Sequence, residues 1–218
     1  MASNVFGTPI TDSTLQSMPE YPPGKPITAE DRARVAVNMK NAENKAANAL
    51  TFVENQKARY GYGVSTQCLV YNATGNTLCF VKDHDYHGHI DKSPYPTEIA
   101  NGQWGAFLHV HPTAAATGSS ACVVYRGKNN GGQDCDWLIG WSNPWDHSAF
   151  SYGNRAYTEI KEAHDYDQDN IWSQISSRLY NAGHDCTAAW NGCTSKVICG
   201  KGTTATFEAT LCLENVSI

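Results

Sequence analysis

Residues Tyr95 to Trp145 read YPTEIANGQWGAFLHVHPTAAATGSSACVVYRGKNNGGQDCDWLIGWSNPW. Three apolar or alternating runs, Trp104 to His111, Ala121 to Arg126 and Asp136 to Trp141, are separated by segments rich in Gly, Asn, Ser and Pro. Period-two apolar patterning between turn formers is the signature of antiparallel strands. Trp137, Trp141 and Trp145 fall in or just after the last run.

Outward from this block the pattern stays strand-rich. Upstream, Gln67 to Asn72 and Thr77 to Val81 flank Ala73-Thr-Gly-Asn76 and predict a hairpin. Lys82 to His89 and the proline-bearing Ser93–Pro96 stretch predict loops. Downstream, Ala156 to Ile160, Lys196 to Cys199 and Thr203 to Glu214 predict strands; in the last, Ala205, Phe207, Ala209, Leu211 and Leu213 alternate with polar neighbours.

Two helices interrupt the strands. Thr28 with Asp31 three places on nearly matches a capping box, and Val35, Met39, Ala42, Ala46, Ala49, Leu50 and Val53 recur at helical spacing up to Gly61. This alanine-rich stripe predicts a helix from Thr28 to Arg59 lying on another surface. Ile171, Trp172, Ile175 and Leu179 predict a second helix, from about Asn170 to Asn181, with Asp169 placed to cap it and Gly183 to end it. Residues 1–27 are expected to be an irregular lead and 28–218 a single domain. The fold class is α+β and strand-dominated: a β-sandwich with two helices packed on it.

At 218 residues the chain buries about 70% of its unfolded surface without stapling. A net charge of −5 excludes a nucleic-acid surface, which needs a basic face, and supplies no pull toward anionic lipid. The N-terminus lacks the basic and apolar regions of a signal peptide, and no apolar run approaches the ~18 residues of a transmembrane helix. A cytoplasmic location, extending to the nucleus, is the expectation. Asn72-Ala-Thr74 and Asn215-Val-Ser217 fit the glycosylation pattern, but with no signal peptide the eight cysteines are expected as free thiols. Cys186, Cys193 and Cys199, in a Gly/Thr/Asn-rich segment expected as a loop, are the candidates for bridging under oxidation.

The blocks GQWGAFLHV (Gly102–Val110), ACVVYRG (Ala121–Gly127) and CDWLIGWSNPW (Cys135–Trp145), with YNATGNTL, HDYHGH and PYPTEIANG upstream, resemble the plant 23 kDa jasmonate-induced proteins over roughly residues 28 to 214. The resemblance implies a stress- or defence-induced protein that is not secreted. A more distant likeness is to the actinoporin-like β-sandwich of sphingolipid-binding proteins such as Nakanori. That likeness implies a fold rather than a function. The polar Thr28–Arg59 helix does not resemble a pore-forming segment.

Trp141, Trp145, Phe150, Tyr152 and Tyr157, interleaved with Asn143, Pro144, Asp146, His147 and Arg155, make the leading candidate site. Aromatic rings beside polar groups suit sugar faces and choline headgroups through stacking and cation–π attraction. The ligand-binding set is Trp141, Trp145, Asp146, His147, Tyr152, Arg155 and Tyr157, with Trp145 and Tyr152 as stacking platforms and a glycan or sphingolipid headgroup as the partner. The competing reading packs Trp137 and Trp141 into the sandwich core.

The alternative is metal chemistry. His87 with His89, and His109 with His111, each put two imidazoles on one side of an extended segment, and four nitrogens could converge on zinc or copper. The first reading needs no cofactor. No catalytic residue is assigned, because Gly-x-Ser-x-Gly, a phosphate-cradling loop and a dinucleotide fingerprint are all missing from the sequence. His164–Asn170, which lacks the glycine and distal glutamate of a calcium loop, is expected as a solvated helix lead-in.

Overall fold

In the computed structural model, which describes residues 4–113, 115–146 and 153–216, the expected strand run becomes two facing sheets. The first holds β1 (Val5–Phe6), β2 (Ser65–Ala73), β4 (His89–Ile90), β6 (Trp104–Val110), β10 (Asp185–Trp190), β11 (Cys193–Cys199) and β12 (Thr204–Leu213). Its order is β1-β6-β2-β12-β11-β10, with β4 pairing β6. The second, in the order β5-β3-β7-β8-β9, holds β3 (Leu78–His87), β5 (Glu98–Ile99), β7 (Ser119–Lys128), β8 (Asp134–Asn143) and β9 (Arg155–Glu162). Pairing is antiparallel apart from β2 with β12, which run parallel from Ser65↔Thr204 to Ala73↔Cys212.

Alternation explains why β2 is buried along its whole length. Cys68 and Val70 face the inter-sheet core with Phe107, Trp137, Trp141 and Phe207. Leu69, Tyr71 and Ala73 face the opposite way, under a helical layer. That layer is built by α1 (Asp12–Gln16), α2 (Ala29–Asn38) and α3 (Lys45–Tyr60). On the outer face of the second sheet, Cys122, Val124 and Leu138 meet Trp172, Ile175 and Leu179 of α4 (Ile171–Asn181). A strand covered on both faces reads as a continuous apolar run rather than an alternating one, as in Ala121–Tyr125.

Several expectations are corrected. The Thr28–Arg59 helix is two helices. Thr28 does form the capping box with Asp31, Thr28 Oγ1 accepting from Asp31 N at 3.2 Å and Asp31 Oδ2 from Thr28 N at 3.0 Å. The chain then breaks at Glu43 and Asn44, with φ of 59° and 54°. The break lets Lys45 turn inward, fully buried, to donate from Nζ to Gly102 O at 2.8 Å.

The expected Gln67–Val81 hairpin is a crossing between sheets, since β2 and β3 belong to different ones. Asn72 holds the crossing: its Oδ1 accepts from Thr74 N at 2.9 Å and its Nδ2 donates to Ile99 O at 2.6 Å. Gly75 sits at φ 76°, where a Cβ would lie 2.0 Å from Ala29 O. Lys82 to His89, expected as a loop, is mostly β3, which carries bulges at Phe80/Lys82 and Asp85/His87.

The lead is not irregular throughout. β1 pairs with β6, and Ile10 and Leu15 are buried under the helical layer. The segment around Cys186 and Cys193, expected as a loop, is the β10–β11 hairpin, turned by Asn191-Gly192 with φ of 47° and 77°. Asn170, not Asp169, occupies the cap of α4. No disulfide joins the eight cysteines in this structure; Cys135 and Cys193 approach each other with Sγ atoms 3.9 Å apart.

Candidate functional site

The register of the strands collects one set of loops at one end of the sandwich. Ser65 pairs with Val110 and Thr204, Ser119 with Asn143, and Ser142 with Arg155. The described residues of the segments 61–64, 111–118, 144–154, 182–184 and 200–203 therefore leave the sheets together.

This end carries exposed aromatic rings. Tyr62 is fully exposed, Trp145 43% and Tyr180 40%. Tyr62 stands between Gly61 and Gly63, whose φ values of 91° and 110° make a turn that glycine adopts without strain. Lys57 Nζ fastens the turn by donating to Gly61 O at 2.8 Å and Gly63 O at 2.7 Å. At Gly63 a Cβ would fall 1.9 Å from His111 Nε2, so a larger residue would displace the imidazole. His111 in turn supports Trp145, ring centroids 5.1 Å apart, and meets Tyr60 edge-on at 5.9 Å. The result is a rim running Tyr60, His111, Trp145, with Tyr62 projecting beside it.

Of the sequence-predicted set, Trp145, Asp146 and Arg155 lie at this end. Asp146 is exposed, and the guanidinium of Arg155 stands 5.8 Å from the centre of the Tyr180 ring. His147, Tyr152 and the neighbouring Phe150 lie outside the described residues.

Trp141 and Tyr157 are corrected. Trp141 is fully buried between the sheets, 5.8 Å from Phe107 and 5.5 Å from Phe207, so no ligand reaches its face. Tyr157 packs on the α4 side of the second sheet and donates its hydroxyl to Glu159 Oε2 at 2.6 Å. Tyr62 was missed. Its signal is an aromatic held between two glycines directly after a helix.

The paired histidines take separate roles. β4 does bring His89 beside Val110, but His87 and His89 are exposed whereas His109 is fully buried. Both of its ring nitrogens are engaged: Nε2 lies 3.0 Å from Asp85 Oδ1 and Nδ1 lies 2.8 Å from Ser119 Oγ. An ionised carboxylate only accepts, which fixes Nε2–H as donor and leaves Nδ1 to accept from the serine. Ser119 Oγ also meets Thr66 Oγ1 at 2.8 Å. The sequence Ser–His–carboxylate has the connectivity of a hydrolytic relay. Ser119 is fully buried, however, and the group works as a polar tie between the two sheets. No group of three or more His, Cys, Asp or Glu among the described residues could hold a metal ion.

Burial holds the His109 pKa below the ordinary histidine value, partly offset by Asp85; burial also lowers that of His84. The unfolded chain then binds more protons as pH falls through about 6.5. Stability from the neutral imidazole is complete above that value and is lost from there down toward the lower folded pKa. The expected result is a lower denaturation midpoint at pH 5.5 than at pH 7.5, with a smaller difference in His109→Gln. A wild-type midpoint that is level or higher at pH 5.5 would overturn this.

The whole architecture has relatives. A 23 kDa jasmonate-induced protein of Hordeum vulgare is 48% identical over 206 residues, covering 94% of this chain and 95% of that protein. A jasmonate-induced protein homolog of Atriplex canescens is 30% identical over 108 residues, covering 50% and 56%. The crystal structure of the lipid-binding protein Nakanori superposes with a TM-score of 0.86 at 28% identity, covering 95% of this chain and 98% of that one. The match therefore includes the helical layer and α4 as well as both sheets. The family model described as Nakanori-like protein matches residues 6–214, from β1 to just beyond β12, and this chain belongs to that family.

Proposed function

We propose that this chain is a stress- or defence-induced binding module that docks on membranes through the loop-bearing end and recognises a sphingolipid headgroup. The observation that carries the reading is the pair of exposed rings, Tyr62 and Trp145, projecting from one end of a rigid sandwich. Aromatic side chains with an apolar body and a polar tip favour the interfacial zone of a bilayer. No helix among the described residues is long and apolar enough to cross a membrane, so a surface mode through loops is the reading. Nakanori, named as lipid binding, superposes over nearly the whole chain, which favours lipid over the glycan that aromatic platforms also suit.

The test is co-sedimentation with vesicles of sphingomyelin and cholesterol, of phosphatidylcholine with cholesterol, and of phosphatidylcholine alone, run beside a glycan array. Selective binding to the first vesicles is expected. Binding to glycans without vesicle binding, or to neither, would overturn the reading.

A further inference from the structure

We infer that oxidation joins Cys135 and Cys193 in a disulfide that staples one sheet of the sandwich to the other, a modification site separate from the aromatic rim. Cys135 begins the buried part of β8 in the second sheet, and Cys193 opens β11 in the first. Both are fully buried, and their Sγ atoms stand 3.9 Å apart across the inter-sheet core. With the thiols already in contact, side-chain rotation and a small shift of the strand ends suffice to reach bonding geometry.

The other thiols take separate surroundings. Cys68 and Cys199 lie elsewhere in the inter-sheet core, Cys122 under α4 and Cys212 under the helical layer. Cys186 directs its thiol to Thr158 O at 3.9 Å, and Cys79 is exposed. Of the three cysteines expected from the sequence to bridge, Cys193 therefore takes part. Its partner comes from a strand 58 residues away in the chain rather than from its own segment.

The pair sits where an oxidant can reach it. Cys135 lies just inside the β7–β8 turn at Asn129–Gln133, and Cys193 just inside the β10–β11 turn at Asn191-Gly192. These two turns meet above the thiols: a Cβ on Gly192 would lie 2.8 Å from Asn130 Cβ, and Asn191 Nδ2 donates to Gln133 Oε1 at 3.5 Å. Asn130 to Asp134 and Asn191 are exposed. Hairpin tips with few buried contacts open locally without unfolding the domain. The register puts them at the end of β8 away from Ser142 and Arg155, so the loops of the aromatic rim are not part of the device. While the tips are closed, the hydrogen bond with Cys193 and burial push the Cys135 thiol up, and it stays protonated and unreactive.

Opening admits a peroxide, the oxidant the step requires. One thiol gives its proton to water, and its thiolate attacks a peroxide oxygen. The O–O bond breaks, a sulfenic acid forms and hydroxide leaves. The second thiol, deprotonated in turn, attacks the sulfenic sulfur; the S–S bond forms and a second hydroxide leaves. The two thiol protons convert both hydroxides to water, and the two electrons lost by sulfur reduce the peroxide.

The test treats reduced full-length protein with hydrogen peroxide in a Cys79→Ser background, which removes the exposed thiol. Peptide mapping without reductant is expected to show the Cys135 and Cys193 peptides linked, two hydrogens lighter than their sum. A cross-link between residues 58 apart should raise the melting temperature by roughly 5–15 °C, and dithiothreitol should reverse the rise. Cys135→Ala and Cys193→Ala should each abolish both the link and the rise. The rise is read against each variant's own reduced form, which cancels any stability lost with the thiol. Links among Cys186, Cys193 and Cys199, oxidation to sulfinic acid without a link, or a rise that persists in Cys135→Ala would overturn the assignment. Should either alanine variant fail to fold, the peptide map of the Cys79→Ser protein decides alone.

Discussion

Changing Tyr62 and Trp145 together to serine is expected to reduce vesicle binding roughly thirty- to hundred-fold while leaving the fold intact. Each ring withdrawn from an apolar environment forfeits about 1–1.5 kcal/mol when its burial is partial, and the pair therefore about 2–3 kcal/mol. Tyr62 has no burial in the free protein to lose, and Trp145 stays 43% exposed with its ring against His111. The melting temperature should move by no more than about 2 °C, as for surface changes away from packed features. Co-sedimentation and thermal denaturation on the same preparations check both halves. Undiminished binding would remove the rim from the function; a melting temperature lower by 10 °C would make Trp145 a structural residue.

Trp141→Ala is expected to do the opposite. A tryptophan removed from a close-packed core costs about 3–5 kcal/mol, which for a chain of this size lowers the melting temperature by roughly 6–20 °C. Trp141 contacts Phe107, Phe207 and the edge of His109, at 5.3 Å between ring centroids, so the cavity would open beside the polar tie between the sheets. Folded protein at low temperature should still bind vesicles with wild-type affinity. A variant that melts within about 2 °C of wild type would place the ring outside the core.

These two tryptophans, four residues apart, mark how far the sequence could be read. The strand bearing Trp141 was legible from its alternation, and so were β7, β12, α4 and the capping box of α2. Which face of β8 would be covered was not, because both faces are: the other sheet lies on one and α4 on the other. Period two identifies a buried face only when its opposite face is wet.

The break at Glu43 and Asn44 was hidden for a different reason. Alanine-rich helical spacing continues through it, and what ends α2 is a tertiary demand, the burial of Lys45 against Gly102. The Asn72–Leu78 crossing has the composition of a hairpin, and only the pairing of β2 with β6 and β12 sends it elsewhere. Asn191-Gly192, by contrast, is among the strongest short-range hairpin signals, yet the segment was expected as a loop because its flanking runs are short and rich in Thr, Ala and Cys. In the candidate site, Trp145, Asp146 and Arg155 were legible as an aromatic and polar loop. Tyr62 was not, since it comes from a segment far from that loop in the chain.

The parallel pairing of β2 with β12 has a consequence for how the protein is made. Gln67 and Thr206 stand in register although 139 residues separate them. As the chain leaves the ribosome, β2 can find β6 early, but its other edge stays open until β12 has been synthesised. An apolar strand with one bare edge is a template for pairing with other chains. Vectorial synthesis thus leaves this sheet unfinished until β12 emerges, and a chain cut short before Thr204 would lack the strand that closes its centre.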